Sequence, residues 1–121
     1  MTSKFSHAGG VIDYVNTSGG DIAVNSVVKV KNILGVALAN IANGATGAVG
    51  FGVFTAPKLS GAVIAQGESL TWDVSAGNFD DNAATPATGD VTGAAAVAFE
   101  SAGNGVTSLL VKFTGVPGTV T

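Results

Sequence analysis

Few residues in this chain have side chains that could do chemistry. His7 is the only histidine, beside Ser6 and near Asp13. A hydrolytic triad needs a nucleophile, a base and an orienting acid within hydrogen-bond reach, and no Gly-x-Ser-x-Gly elbow accompanies His7. It reads as a solvated residue on an N-terminal arm. Asp73, Asp80, Asp81 and Asp90 invite comparison with a calcium site, which gathers about six to eight oxygens. Asp80-Asp81-Asn82 lacks the alternating spacing of an EF-hand loop and has no closing Glu, so these read as solvated loop carboxylates. They also lack the fixed frame that sets the separation of a glycosidase pair. Gly47-Ala-Val-Gly50-Phe-Gly52 does not match the Gly-x-Gly-x-x-Gly fingerprint, and no P-loop lysine follows it. Cysteine is absent, which removes disulfides, thiolate catalysis and thiolate zinc sites. These residues carry no catalytic reading, no metal and no other cofactor.

Binding residues are a different matter. Aromatic side chains often dominate interface energies. Trp72 lies between Leu70 and Val74 on one strand face, which suits core packing; Tyr14 is the better interface candidate. Lys58, directly after Pro57, is read as exposed, either a solvated lysine or a contact to an acidic shell. The five basic residues are all lysine, at 4, 29, 31, 58 and 112, and the formal net charge is −3. Nucleic-acid binders neutralise phosphates with clustered Lys and Arg, so nucleic acid is not an expected partner.

These residues must be held by strands. The chain carries 18 glycines and is 46% hydrophobic but only 11% charged, against about 25% charged in an ordinary domain. It has the opposite of a disordered composition. Its scarcity of charge calls for apolar surface covered by a partner or by copies of itself. Met1 to Gly10 lacks the apolar core of a signal peptide, and the longest apolar run, Ile33 to Ala39, is too short to span a membrane. Strands are expected at 10–15, 26–31, 33–39, 48–55, 69–74 and 106–113. In 48–55, Val49, Phe51 and Val53 should share one face and Gly50 and Gly52 the other, where glycine permits close packing. In 106–113, Leu109, Val111 and Phe113 should share a face. Residues 91–99 are open between strand and short helix. Residues 78–90 read as a long surface loop and 1–9 as a mobile arm. The expected fold is therefore all-β, a compact β-barrel or β-sandwich-like single domain over residues 1–121. A gap-free offset of 58 places Gly35 on Gly93, Ala37 on Ala95, Gly47 on Gly105 and Val53 on Val111, which leaves open a duplication into two similar β units.

Several stretches together resemble the phage capsid cement (decoration) proteins. They run Gly10-Val-Ile-Asp-Tyr14, Val27 to Lys31, Ile33-Leu-Gly-Val-Ala-Leu38, Ile41-Ala-Asn-Gly-Ala-Thr-Gly47, Gly52-Val-Phe-Thr-Ala-Pro-Lys58, Ile64-Ala-Gln-Gly67, Leu70-Thr-Trp-Asp73 and Val106 to Phe113. The chain departs from the family pattern at Asn25-Ser26, where Gly-Asp is usual, and in the Ala-rich stretch Ala94 to Ala98. The resemblance implies a β-rich structural virion protein, made in the host cytoplasm, that binds the outer surface of an expanded capsid and bridges major capsid protein subunits. It implies a homo-oligomer, with a trimer favoured over a dimer, and no enzyme activity. Lys4, Phe5, His7, Tyr14 and Lys58 are the expected capsid or oligomer contacts. The competing reading on composition alone is a β-module that binds a carbohydrate or a host receptor.

Overall fold

A computed structural model of the chain describes residues 10–121. Among these residues there is no helix. In chain order the strands are β1 (Val11–Val15), β2 (Val27–Val30), β3 (Ile33–Ala37), β4 (Thr46–Gly50), β5 (Gly52–Pro57), β6 (Thr71–Asp73), β7 (Asn78–Asp80), β8 (Val91–Thr92), β9 (Ala96–Ala98), β10 (Ser108–Phe113) and β11 (Thr119–Val120). They form three sheets, ordered β1-β4-β3-β2, β5-β10-β9 and β11-β8-β6-β7. All strand pairs within the sheets are antiparallel, and the strands curl into a half-barrel. The all-β expectation holds.

The alternation of β10 is as expected: Leu109, Val111 and Phe113 are buried, while Ser108, Leu110 and Lys112 are exposed. Two other expectations are corrected and one left open is resolved. Residues 48–55 are not one strand: Gly52 adopts φ 117° and breaks β4 from β5. Val49 is therefore buried but Val53 is exposed. Residues 78–80 are not loop. Phe79 is fully buried, pairs with Trp72 across β6–β7, and stacks edge-on against that ring at 4.8 Å. Its bulky ring outweighs the turn-forming residues on either side, leaving residues 81–90 as the connection. Residues 91–99 form two short strands, β8 and β9, separated by Gly93 in the left-handed region at φ 86°.

The internal repeat is real, but the offset of 58 is not its register. Ile22 and Ile41 exchange backbone N–H···O bonds of 2.9 and 2.8 Å; Ile64 and Ala102 exchange bonds of 2.8 and 2.9 Å. The Asn25 N–H donates to Ala37 O as the Gly67 N–H donates to Ala98 O, both at 2.8 Å. The Ala37 N–H donates to Ser26 O as the Ala98 N–H donates to Glu68 O, both at 2.9 Å. Left-handed residues recur at the same places, Asn25 with Gly67 and Gly44 with Gly105. These pairs fix an offset of 42 for the first part of the unit and 61 for the second. The second unit thus carries 19 extra residues where the first has the tight Lys31–Asn32 turn, and that insertion holds β7 and β8. One further residue is added near Val106, since the Lys58 N–H donates to Thr107 O as the Asn16 N–H donates to Ala45 O. Gly35 therefore matches Ala96, not Gly93. The insertion lies within the second unit, between β6 and β9, so no single offset registers the two units along their whole length.

Candidate functional site

The repeat gives each unit two comparable faces. In the first unit, cross-strand partners place Ile12, Tyr14, Val28, Ala37 and Val49 on one face, here called the front. Val27, Leu34 and Val36 lie on the back. In the second unit the equivalent front positions are Phe54, Ala56, Leu70, Ala98 and Val111; Val53, Thr55, Val97, Leu110 and Lys112 form the back.

The main core lies between the back of the first unit and the front of the second. It unites Leu34 and Val36 with Ala56, Leu70, Trp72, Ala98, Val111 and Phe113. The insertion adds Phe79 and Val91 to this core, and Phe79 also lies 5.8 Å from the Phe113 ring. The front of the first unit is a separate, smaller cluster: Val28, Ala37, Ile41 and Val49, with Ile12, Tyr14, Ile22 and Val30 only partly buried around them. Glycines make this sheet thin. A Cβ at Gly35 would stand 2.4 Å from Val49 Cγ1, and one at Gly47 would stand 2.4 Å from Ile41 Cγ1.

The back of the second unit faces outward. Val53 is 43% exposed, Leu110 37% and Phe99 47%. Val97 is half-buried, and Lys112 lies opposite both Val53 and Val97 in the register. Apolar side chains on an exposed sheet face mark an interaction surface. Sequence reading missed Leu110, Phe99 and Val53 as surface residues; the alternation of β10, with Leu109, Val111 and Phe113 facing inward, is the signal that places Leu110 outside.

The expected contact residues fall apart from one another. Lys4, Phe5, His7 and the proposed mobile arm lie outside the described residues. Tyr14 is half-buried at the edge of the first front. Lys58 is corrected: it is 3% exposed, and its Nζ donates to Leu59 O at 2.8 Å, Val106 O at 3.0 Å and Ser60 O at 3.3 Å. It occupies the position matching Asn16, which is also buried and donates from Nδ2 to Gly20 O and Ile41 O. Each side chain ties the corner that follows its strand to a carbonyl distant in sequence, Ile41 O for Asn16 and Val106 O for Lys58, so Lys58 spends its ammonium inside the chain.

The carboxylates do not converge. Asp90 is buried and accepts the Val74 and Ala87 N–H groups. Asp73 accepts the Ser75 and Ala76 N–H groups and the Ser75 hydroxyl. The Ala76 and Ser75 hydrogen bonds hold its carboxyl below the usual range. Among the described residues no group of three or more His, Cys, Asp or Glu side chains is placed to hold a metal ion. Trp72 is in the core. Among the described residues, open depressions of about 390 Å³ lie beside Asp21, Ile22 and Asn40 and of about 320 Å³ beside Asn25, Pro57 and Trp72. The first is lined by one carboxylate and the second by none, so neither assembles an acid–base pair.

A family model described as phage cement protein matches residues 6–113. The chain belongs to the phage cement protein family. The match spans both units, including the insertion within the second. No curated protein matches the chain significantly. Family membership assigns this cement protein a structural role in association with the phage capsid, and the family is not an enzyme family.

Proposed function

We propose that this cement protein binds the outer surface of the expanded capsid and stabilises it by bridging neighbouring major capsid protein subunits. The observation that carries this reading is the family match over 6–113 together with exposed apolar side chains on a low-charge chain. Several modest contacts per oligomer would add by multivalency. A protein that binds only the expanded shell stabilises that state by mass action. The segment 1–9, with Lys4, Phe5 and His7, is the proposed shell-gripping element, with Tyr14 on β1 as a further proposed contact. The proposed assembly is a homo-oligomer, with a trimer favoured, made in the host cytoplasm and added to the shell.

Co-sedimentation with expanded shells lacking the protein, with unexpanded shells as control, tests the proposal. Saturable binding to expanded shells alone is expected, and copy number per shell then gives the symmetry of the sites. Binding to neither shell would overturn the proposal and favour the glycan or receptor reading. Removal of residues 1–9 is expected to weaken binding; unchanged affinity would remove the arm from the contact.

A further inference from the structure

We propose that Asn43 and Asn104 are a pair of latent deamidation sites, held unreactive by the corner hydrogen bonds of the glycines that follow them, and that Asn104 is the first to convert. The inference does not rest on the shell-binding reading.

Asn-Gly occurs twice in the chain, at 43–44 and at 104–105. The offset of 61 that registers the second part of the repeat places one pair on the other. Both pairs are exposed. Both occupy the centre of the same tight turn: the Ala45 N–H donates to Ala42 O at 2.9 Å, and the Val106 N–H donates to Gly103 O at 3.2 Å. Gly44 at φ 82° and Gly105 at φ 91° give each turn the type II form, whose third position favours glycine.

The chemistry is intramolecular. Hydroxide removes the proton of the glycine backbone N–H, and that nitrogen attacks the asparagine Cγ. A new C–N bond forms, the bond from Cγ to Nδ2 breaks, and Nδ2 leaves as ammonia after taking a proton from water. The product is a five-membered succinimide. Water then opens either C–N bond of the ring, giving aspartate one way and isoaspartate, with an added backbone carbon, the other. Glycine hinders the attack least because it has no Cβ.

The fold opposes the step at the nitrogen. The Gly44 N–H donates to Asn16 O at 2.8 Å, and the Gly105 N–H donates to Ser60 O at 2.7 Å. An imide nitrogen carries no hydrogen, so ring closure abolishes the corner bond. The reaction therefore runs from states in which the corner has opened, and its rate follows their population.

The two corners differ in what opening costs. Asn16 is fully buried, so its carbonyl loses the Gly44 donor where desolvation makes that loss expensive. Ser60 is exposed, and water can replace the Gly105 donor. Asp21 Oδ1 also accepts the Asn43 N–H at 2.8 Å, and its negative charge opposes an anion at the next amide. The matching position in the second unit is Val63, whose side chain offers no acceptor. Lys58 ties the second corner through the Ser60 and Val106 carbonyls, but its positive charge favours a developing anion instead of opposing it. Asn104 is thus the less protected of the pair.

The test incubates the full chain in mildly alkaline buffer, folded and in guanidinium, and follows each Asn-Gly by peptide mapping with mass spectrometry. In the folded chain both sites should react at least about a hundredfold more slowly than in the unfolded chain, the retardation of a corner open about 1% of the time. Asn104 should convert before Asn43. Asp21→Ala, at an exposed position, should speed conversion of Asn43 by about two- to tenfold, the worth of one hydrogen bond, and leave Asn104 unchanged. Hydrogen exchange of the wild type reads the same opening without a variant: the Gly44 amide should be more protected than the Gly105 amide. Equal rates in the folded and unfolded chains, conversion of Asn43 first, an unprotected Gly44 amide, or an Asp21→Ala chain whose two sites speed up alike would each overturn the proposal.

Discussion

Lys58 gives the sharpest prediction about how the fold is held. Replacing it with Met keeps most of the apolar stem and removes the ammonium that closes the corner formed by Leu59, Ser60 and Val106. A hydrogen bond to a charged group contributes about 1.5–3 kcal/mol. The three do not simply add, because the ammonium's own desolvation offsets part of the gain. Water can also reach the corner, since Leu59, Ser60 and Val106 are exposed. A net loss of about 2–4 kcal/mol follows. At this chain length each 1 kcal/mol lowers Tm by about 4 °C, so Lys58→Met should melt about 8–16 °C below wild type. Urea unfolding should show a lower midpoint with an unchanged slope. Because Lys58 is 3% exposed, binding of the folded variant to expanded shells should be unchanged well below its Tm. A stability loss under about 0.5 kcal/mol would refute the reading of Lys58 as the corner's clamp. Full stability with lost shell binding would restore it as a contact.

Two further perturbations follow from the geometry. Gly35→Ala places a Cβ 2.4 Å from Val49 Cγ1 and 3.0 Å from Gly50 O, so it should cost about 1–3 kcal/mol in urea unfolding, with part of the loss recovered by adding Val49→Ala. Asp73, held below its ordinary value by its Ala76 and Ser75 bonds, stabilises the fold above that value and loses the contribution as pH falls through its folded pKa; the Tm gap between wild type and Asp73→Asn should therefore be present at pH 6 and close below about pH 4.

The strands were legible wherever alternation ran unbroken, as in β10, where every second residue is buried. They were not legible where one large side chain decided the outcome. Phe79 sits among Asn78, Asp80 and Asp81, yet its ring meets Trp72 and Phe113 and draws those residues into β7. Alternation also failed at Gly52, because a positive φ resets which residues point inward. The repeat was visible as scattered Gly and Ala matches but misregistered, since such common small residues match at many offsets and the hydrogen bonds that fix the register exist only in the fold. Lys58 was misplaced for a different reason: a charged residue after proline reads as surface, and only the fold brings three carbonyls around it. The outward apolar face was legible in one respect, the scarcity of charge, which called for covered surface without saying where it lay.

That scarcity has a structural cause once the repeat is registered. A duplicated unit encodes the same apolar front twice: Ile12, Ile22, Val28, Ile41 and Val49 in one copy, Phe54, Ile64, Leu70, Ala102 and Val111 in the other. In the second copy the front lies under the back of the first unit and the insertion bearing Phe79 and Val91. In the first copy the centre of the front, Val28, Ala37, Ile41 and Val49, is closed over within the chain itself, at 0% to 4% exposure. The apolar side chains left to water lie elsewhere, among them Val53, Phe99 and Leu110 on the back of the second unit. Apolar area removed from water contributes roughly 25 cal/mol per Å², so these are the positions where cover by a partner would gain most.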